Sequence, residues 1–125
     1  MATAAAGITS PEQLRDRTKA FANRIIRLFR ALPKRTEAQV IGRQLLRAGT
    51  SVGANYRAAC RGRSRPDFIS KLGIVVEEAD ETIYWLELLA ENDIVPQRRL
   101  KDLLKEAHEL TAIFTASLET SRSEN

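Results

Sequence analysis

All four prolines of this chain, Pro11, Pro33, Pro66 and Pro96, stand at the edges of long runs in which apolar residues recur in steps of three and four. Proline fits the first turn of a helix but cannot continue one, and steps of three and four gather side chains on one helical face. The chain is thereby divided into four amphipathic helices. No alternating pattern competes for a strand.

The spacing predicts a first helix over about 11–32, opened by Ser10, Pro11 and Glu12, with a seam of Leu14, Thr18, Phe21, Ile25, Leu28 and Leu32. A second, over about 36–61 with Thr36 as its cap, carries Ala38, Ile41, Leu45, Ala48, Val52, Asn55 and Ala59. Beside it runs a line of small residues that includes Gly42, Gly49 and Gly53. Glycine costs about 1 kcal/mol against alanine inside a helix, so close approach of another helix is the compensating gain, a helix break being the plain alternative. The third helix starts at Pro66, with Ser64 or Arg65 at its mouth, and its seam of Ile69, Leu72, Val76, Ala79, Ile83, Leu86 and Ala90 is widened by Phe68, Val75, Trp85 and Leu89. That width predicts a central helix with more than one neighbour. After Asn92, Asp93 and Pro96, a fourth helix follows from Leu100, Leu103, Ala107, Leu110, Phe114 and Ser117 and ends near Thr120.

Such short connections make the simplest architecture an all-α, antiparallel, up-down-up-down four-helix bundle. At 125 residues the chain is one domain, expected to occupy residues 10–121 between a disordered segment 1–9 and a disordered tail 122–125. No window offers the eighteen or so apolar residues needed to span a bilayer, and the start lacks a leader pattern, so a cytoplasmic protein without membrane contact is expected.

Charge is segregated along the chain. Residues 12–65 hold 14 Lys and Arg against 3 Asp and Glu, whereas residues 66–125 hold 6 against 13. If the second and third helices are antiparallel about Gly62–Arg65, residues whose numbers add to roughly 128 lie at one height. Ser51 then faces Glu77, Arg47 faces Glu81, and Arg43 faces Tyr84 and Trp85. Arg43, Arg47, Arg57 and Arg61 share one stripe of the second helix, predicting a ladder to Glu77, Glu78 and Glu81. Solvated faces worth about 0–1 kcal/mol per pair are the plain reading. Asn55 within the apolar seam and Trp85 within the acidic face favour a partly buried network that fixes register or subunit contacts.

The stretch QLLRAGTSVGANYRAACRGRSRPDFISKLGIVVEEADETIYWLELL, from Gln44 to Leu89, resembles the bacterial four-helix bundle proteins first noticed as products of intervening sequences within large-subunit ribosomal RNA genes. The likeness extends back to FANRIIRLFRALP and, less distinctively, forward to LLKEAHELTAIFTAS. The family is similar in turn to the accessory variability determinant of diversity-generating retroelements, a basic, barrel-shaped homopentamer that assists a reverse transcriptase. The resemblance implies a ring-shaped homo-oligomer, a pentamer, with an RNA or DNA partner. Carried over by position, Gln44, Leu45, Arg47, Ser51, Asn55 and Arg57, with Phe68, Leu72, Glu78, Ala79, Glu81, Tyr84 and Leu86, match its pattern as framework and interface. Where many members end the second helix with an acid and a glycine, this chain has Ala58, Ala59 and Cys60.

Chemistry is sparse. Cys60 and His108 are the single cysteine and histidine, on different helices, which leaves no nucleophile and base pair, and no Glu-x-x-His motif that a bundle metal site would need. No cofactor, metal or catalytic residue is expected. The functional residues expected instead are cations of the first helix and its turn: Arg17, Arg24, Arg27, Arg30, Lys34 and Arg35, with Arg15 and Lys19 beside them. Without interleaved aromatics for base stacking, such a surface would hold the nucleic-acid backbone with little sequence preference. The alternative is a protein-interaction scaffold whose charge patches serve self-assembly and a protein partner.

Overall fold

The computed structural model describes residues 9–124, which form four helices: α1 (Pro11–Arg30), α2 (Thr36–Cys60), α3 (Arg65–Glu91) and α4 (Gln97–Ser123). Segment 1–8 and Asn125 lie outside the described residues, so the disorder expected there is not addressed. Among the described residues there is no strand, and no helix is long and apolar enough to cross a membrane.

Each boundary has a local cause. The Ser10 hydroxyl accepts the Gln13 N–H at 3.1 Å while the Gln13 side chain accepts the Ser10 N–H at 2.9 Å, so two orphan donors of α1 are satisfied reciprocally. Ser64 caps α3 by accepting from Asp67 N–H. Thr36, expected as the cap of α2, is instead its first helical residue; Arg35 takes the cap position and gives no side-chain hydrogen bond. The loop before α2 is held by Gln39, whose amide donates to the Pro33 carbonyl at 2.8 Å. At the end of α3, Asp93 adopts φ 55°, a left-handed conformation that aspartate tolerates. Ile94 N–H then reaches Leu89 O and Asp93 N–H reaches Ala90 O, closing the helix as Ile94 buries beside Leu89.

One core joins all four helices. Phe21, Ile25, Leu45, Leu72, Leu86, Leu110 and Phe114 are at most 1% exposed. Each leucine-sized side chain contributes roughly 1.5–3 kcal/mol on burial, so this cluster outweighs any surface ion pair. α3 packs against both α2 and α4, as the breadth of its apolar stripe predicts. α1 packs mainly on α2 and approaches α4 only slightly.

The glycines of α2 mark where α1 comes close. A Cβ on Gly49 would stand 2.8 Å from Cγ1 of Ile25, and one on Gly53 would stand 3.0 Å from Oγ1 of Thr18. Close approach, not a helix break, therefore accounts for the small line. At the other end of the chain α4 extends to Ser123, past the end expected near Thr120, and there Arg65 donates to Ser121 O at 3.1 Å and pairs with Glu124. Leu118 fills the last core position where the seam pointed to Ser117.

Candidate nucleic-acid interface

The expected basic residues divide into those whose charge is neutralised inside the fold and those left facing solvent. Arg17, expected among the nucleic-acid-binding cations, belongs to the first group. Its Nη2 lies 2.6 Å from Glu106 and 3.1 Å from Glu109, and its Nε donates to Glu106 at 3.0 Å. The Glu106 hydrogen bond is the main cause of a guanidinium pKa held above its ordinary value, against an opposing effect of burial. Arg17 is thus the clasp between α1 and α4, two helices that otherwise touch little.

Arg24 is half-buried and Arg27, Arg30 and Lys34 are exposed, and none has a carboxylate partner among the described residues. Arg35 lies 3.6 Å from Glu37, with both side chains 57% exposed, a pair that water and salt screen heavily.

The α2–α3 constellation is only partly assembled. Arg47 pairs with Glu78 at 3.1 Å and with Glu81, and its Nε donates to Gln44 at 3.3 Å. Trp85 Nε1 donates to Glu81 at 2.9 Å, and Tyr84 meets the Trp85 ring edge to face at 4.9 Å. The rest of the ladder is absent. The Ser51 hydroxyl donates to Arg47 O and the Asn55 amide to Ser51 O, so both are satisfied within α2 instead of reaching α3. Arg43 and Glu77 are exposed without an ion-pair partner among the described residues. The predicted register does bring Arg47 to Glu81, but one arginine carries the contact alone.

Arg57 is placed elsewhere. With Arg61 it forms the α2 wall of a cleft of about 620 Å³ between α1 and α2, opposite Arg15 and Lys19 of α1. Asp16 is the single carboxylate on its rim. The space exists because the residues between these long cations are short: Ala22 on one helix, Gly53 and Ala54 on the other. Beneath lies Tyr56, 5% exposed and packed 4.9 Å from Phe114. Burial pushes the Tyr56 phenol above its ordinary pKa, and the neighbouring Cys60 thiol acts in the same direction. The free thiol of Cys60 is half-buried on the same cleft.

The sequence points to Arg15 and Lys19, but its heptad stripe places Arg57 and Arg61 with Arg47 on the side of α2 that faces α3. The available signal was angular: Gly49, Gly53 and Arg57 follow one another four residues apart, so the glycine line that receives α1 leads towards Arg57. A further basic strip was missed because its half of the chain is acidic overall. Arg98, Lys101, Lys105 and His108 share the outer face of α4 around Leu104, whereas Glu106 and Glu109 turn to Arg17.

Three exposed large apolar residues, Val40, Ile74 and Tyr84, all belong to α2 and α3. Among the described residues no group of His, Cys, Asp and Glu is placed to hold a metal ion.

The 23S rRNA-intervening sequence protein family matches the chain over residues 13–116. A crystal structure of a protein of unknown function from the S23 ribosomal protein family of Bacteroides thetaiotaomicron is similar to it with a TM-score of 0.81 and 35% identity, covering 87% of this chain and 97% of that one. No curated protein matches the chain.

Proposed function

The chain belongs to the 23S rRNA-intervening sequence protein family, and from that premise we propose that it is a non-catalytic, oligomeric accessory protein that binds nucleic acid, RNA foremost, through the basic surface of α1 and the adjoining side of α2. The observation that supports this is the set of cations Arg15, Lys19, Arg27, Arg30, Arg57 and Arg61, exposed and without carboxylate partners among the described residues. Cations clustered on one surface create a field that attracts a polyanion, and arginine's planar fork suits phosphate. Gly53 late in α2 meets Thr18 early in α1, Arg65 at the start of α3 meets Glu124 at the end of α4, and Arg47 meets Glu81 between the middle parts of α2 and α3, which supports an up-down-up-down antiparallel bundle.

A ring-shaped homo-oligomer is part of this reading. Val40, Ile74 and Tyr84 on the α2 and α3 surfaces are 53%, 39% and 53% exposed, and a second copy covering them would remove that apolar area from water. The same residues, beside the acidic Glu77 and Glu81, favour the second reading: a scaffold that assembles and binds a protein partner without nucleic acid.

The deciding experiment titrates a mixed-sequence RNA oligonucleotide with the protein across a salt series while light scattering reports the assembly state. Binding that weakens linearly in log–log form with salt supports nucleic-acid binding. Assembly with no RNA binding at low salt selects the scaffold.

A further inference from the structure

We propose that the α1–α2 cleft is a phosphate clamp that holds the sugar–phosphate backbone of a polynucleotide between Arg15 and Lys19 on one wall and Arg57 and Arg61 on the other. This rests on the nucleic-acid reading above and assigns it a specific seat, two of whose four cations come from the last turn of α2 and its C-cap.

Three observations carry the assignment. Each wall presents its cations four residues apart, one helical turn or about 6 Å, so charge is spaced along the groove close to the separation of successive phosphates. Four cations face one carboxylate, Asp16, across a cleft of about 620 Å³, an imbalance that a single-charge ligand would leave mostly unneutralised and a run of phosphates would match. The lining also lacks an exposed aromatic: Tyr56 is covered and packed on Phe114, so bases find no ring to stack on. What the cleft recognises is therefore charge and spacing, not base identity.

The geometry follows from the glycine line. Gly53 stands against Thr18 so closely that a Cβ would lie 3.0 Å from Oγ1 and 3.1 Å from Cβ of that residue. Ala22 and Ala54 then leave the space above the contact open. The long, exposed side chains Arg15, Lys19, Arg57 and Arg61 border it. The low-dielectric walls concentrate the field in the groove.

The test compares two full-length variants that lose equal charge. Arg57→Gln with Arg61→Gln empties one wall of the cleft; Lys101→Gln with Lys105→Gln removes the same charge from the outer face of α4. Circular dichroism and thermal melting establish that both fold. Fluorescence anisotropy with a mixed-sequence single-stranded RNA is then recorded from about 50 mM salt upward. Each lost phosphate contact lowers the slope of log affinity against log salt by about 0.7, so the cleft variant is expected to lose about 1.4 in slope and on the order of 50-fold in affinity at the low-salt end. The α4 variant should lose several-fold at most, and inorganic phosphate at the same total phosphate should not displace the RNA from the wild type.

An unchanged slope in the cleft variant, with wild-type binding intact, overturns the clamp and leaves nucleic-acid binding standing. Equal losses in both variants overturn it as well, since overall charge would then suffice. Efficient displacement by inorganic phosphate would make the cleft a small-anion site and also overturns it. Absence of wild-type binding removes both the clamp and the reading it rests on.

Discussion

Replacing Gly49 and Gly73 separately by alanine makes the same chemical change in two helix interiors, and the structure predicts opposite signs. Alanine gains about 1 kcal/mol over glycine from helix propensity at either site. At Gly73 nothing lies within 4 Å of the new Cβ, so that gain should appear undiminished. At Gly49 the Cβ would lie 2.8 Å, 3.0 Å and 3.3 Å from Cγ1, Cγ2 and Cβ of Ile25. Carbon atoms in good contact sit about 3.5–4.0 Å apart. Ile25 is fully buried and branched at Cβ, so it has no free rotamer to swing into and the relief must come from α1 as a whole. Overpacking of this kind costs about 1–3 kcal/mol. The expected outcome is stabilisation of about 1 kcal/mol for Gly73→Ala and destabilisation of about 1 kcal/mol for Gly49→Ala. For a domain of this size the gap of about 2 kcal/mol corresponds to roughly 6–10 °C in Tm. Urea and thermal unfolding should be compared at one protein concentration, so that the proposed self-assembly, which would make apparent stability concentration-dependent, affects both variants equally. If Gly49→Ala raises Tm as much as Gly73→Ala, the claim that α2 glycines exist to admit α1 is wrong.

Three other substitutions probe the polar contacts. Arg17→Ala should cost about 1 kcal/mol, and amide exchange near Glu106 should quicken more than exchange near Glu78, since Arg17 is the clasp of α1 to α4; uniform change across the chain would deny it that role. A double-mutant cycle on Arg47 and Glu81, with Arg47 47% exposed, should return a coupling of about 0.5 kcal/mol, and a value several times larger would mean the pair is shielded from water. Asp67 has its pKa held below the ordinary carboxylate value by hydrogen bonds first from Lys71 and then from the Arg63 N–H. Its contribution to stability is therefore fully present above the unfolded-state value of about 3.9 and is lost as pH falls through the lower folded-state value. Carboxyl NMR titration should find Asp67 still ionised where a free aspartate is half protonated, and Asp67→Asn should flatten the acid limb of the stability curve.

Number and type of helices followed from the sequence because both signals are local. Four prolines and their flanking caps mark where a helix can begin or must stop, and steps of three and four identify the faces that avoid water. Those two facts gave the core almost entire: Leu14, Phe21, Ile25, Leu45, Val52, Leu72, Leu86, Leu100, Leu110 and Phe114 are all buried. The glycine line was legible as a contact, although not the identity of the helix it receives. The fate of each charged side chain depended on packing. Arg17 and Arg27 look alike in sequence, yet Arg17 is turned towards α4 and bound by Glu106 and Glu109 while Arg27 faces water. Asn55 occupies a seam position, but its amide finds the Ser51 carbonyl one turn back before any neighbour. Arg57 shared a heptad stripe with Arg47, and a rotation of tens of degrees about α2 separates an ion pair with α3 from a wall of the α1–α2 cleft. Periodicity fixes which side of a helix is apolar to within the width of a stripe. The ends of long side chains reach several ångströms beyond that stripe, so only the angles and heights of packed helices decide which charges meet and which remain available to a partner.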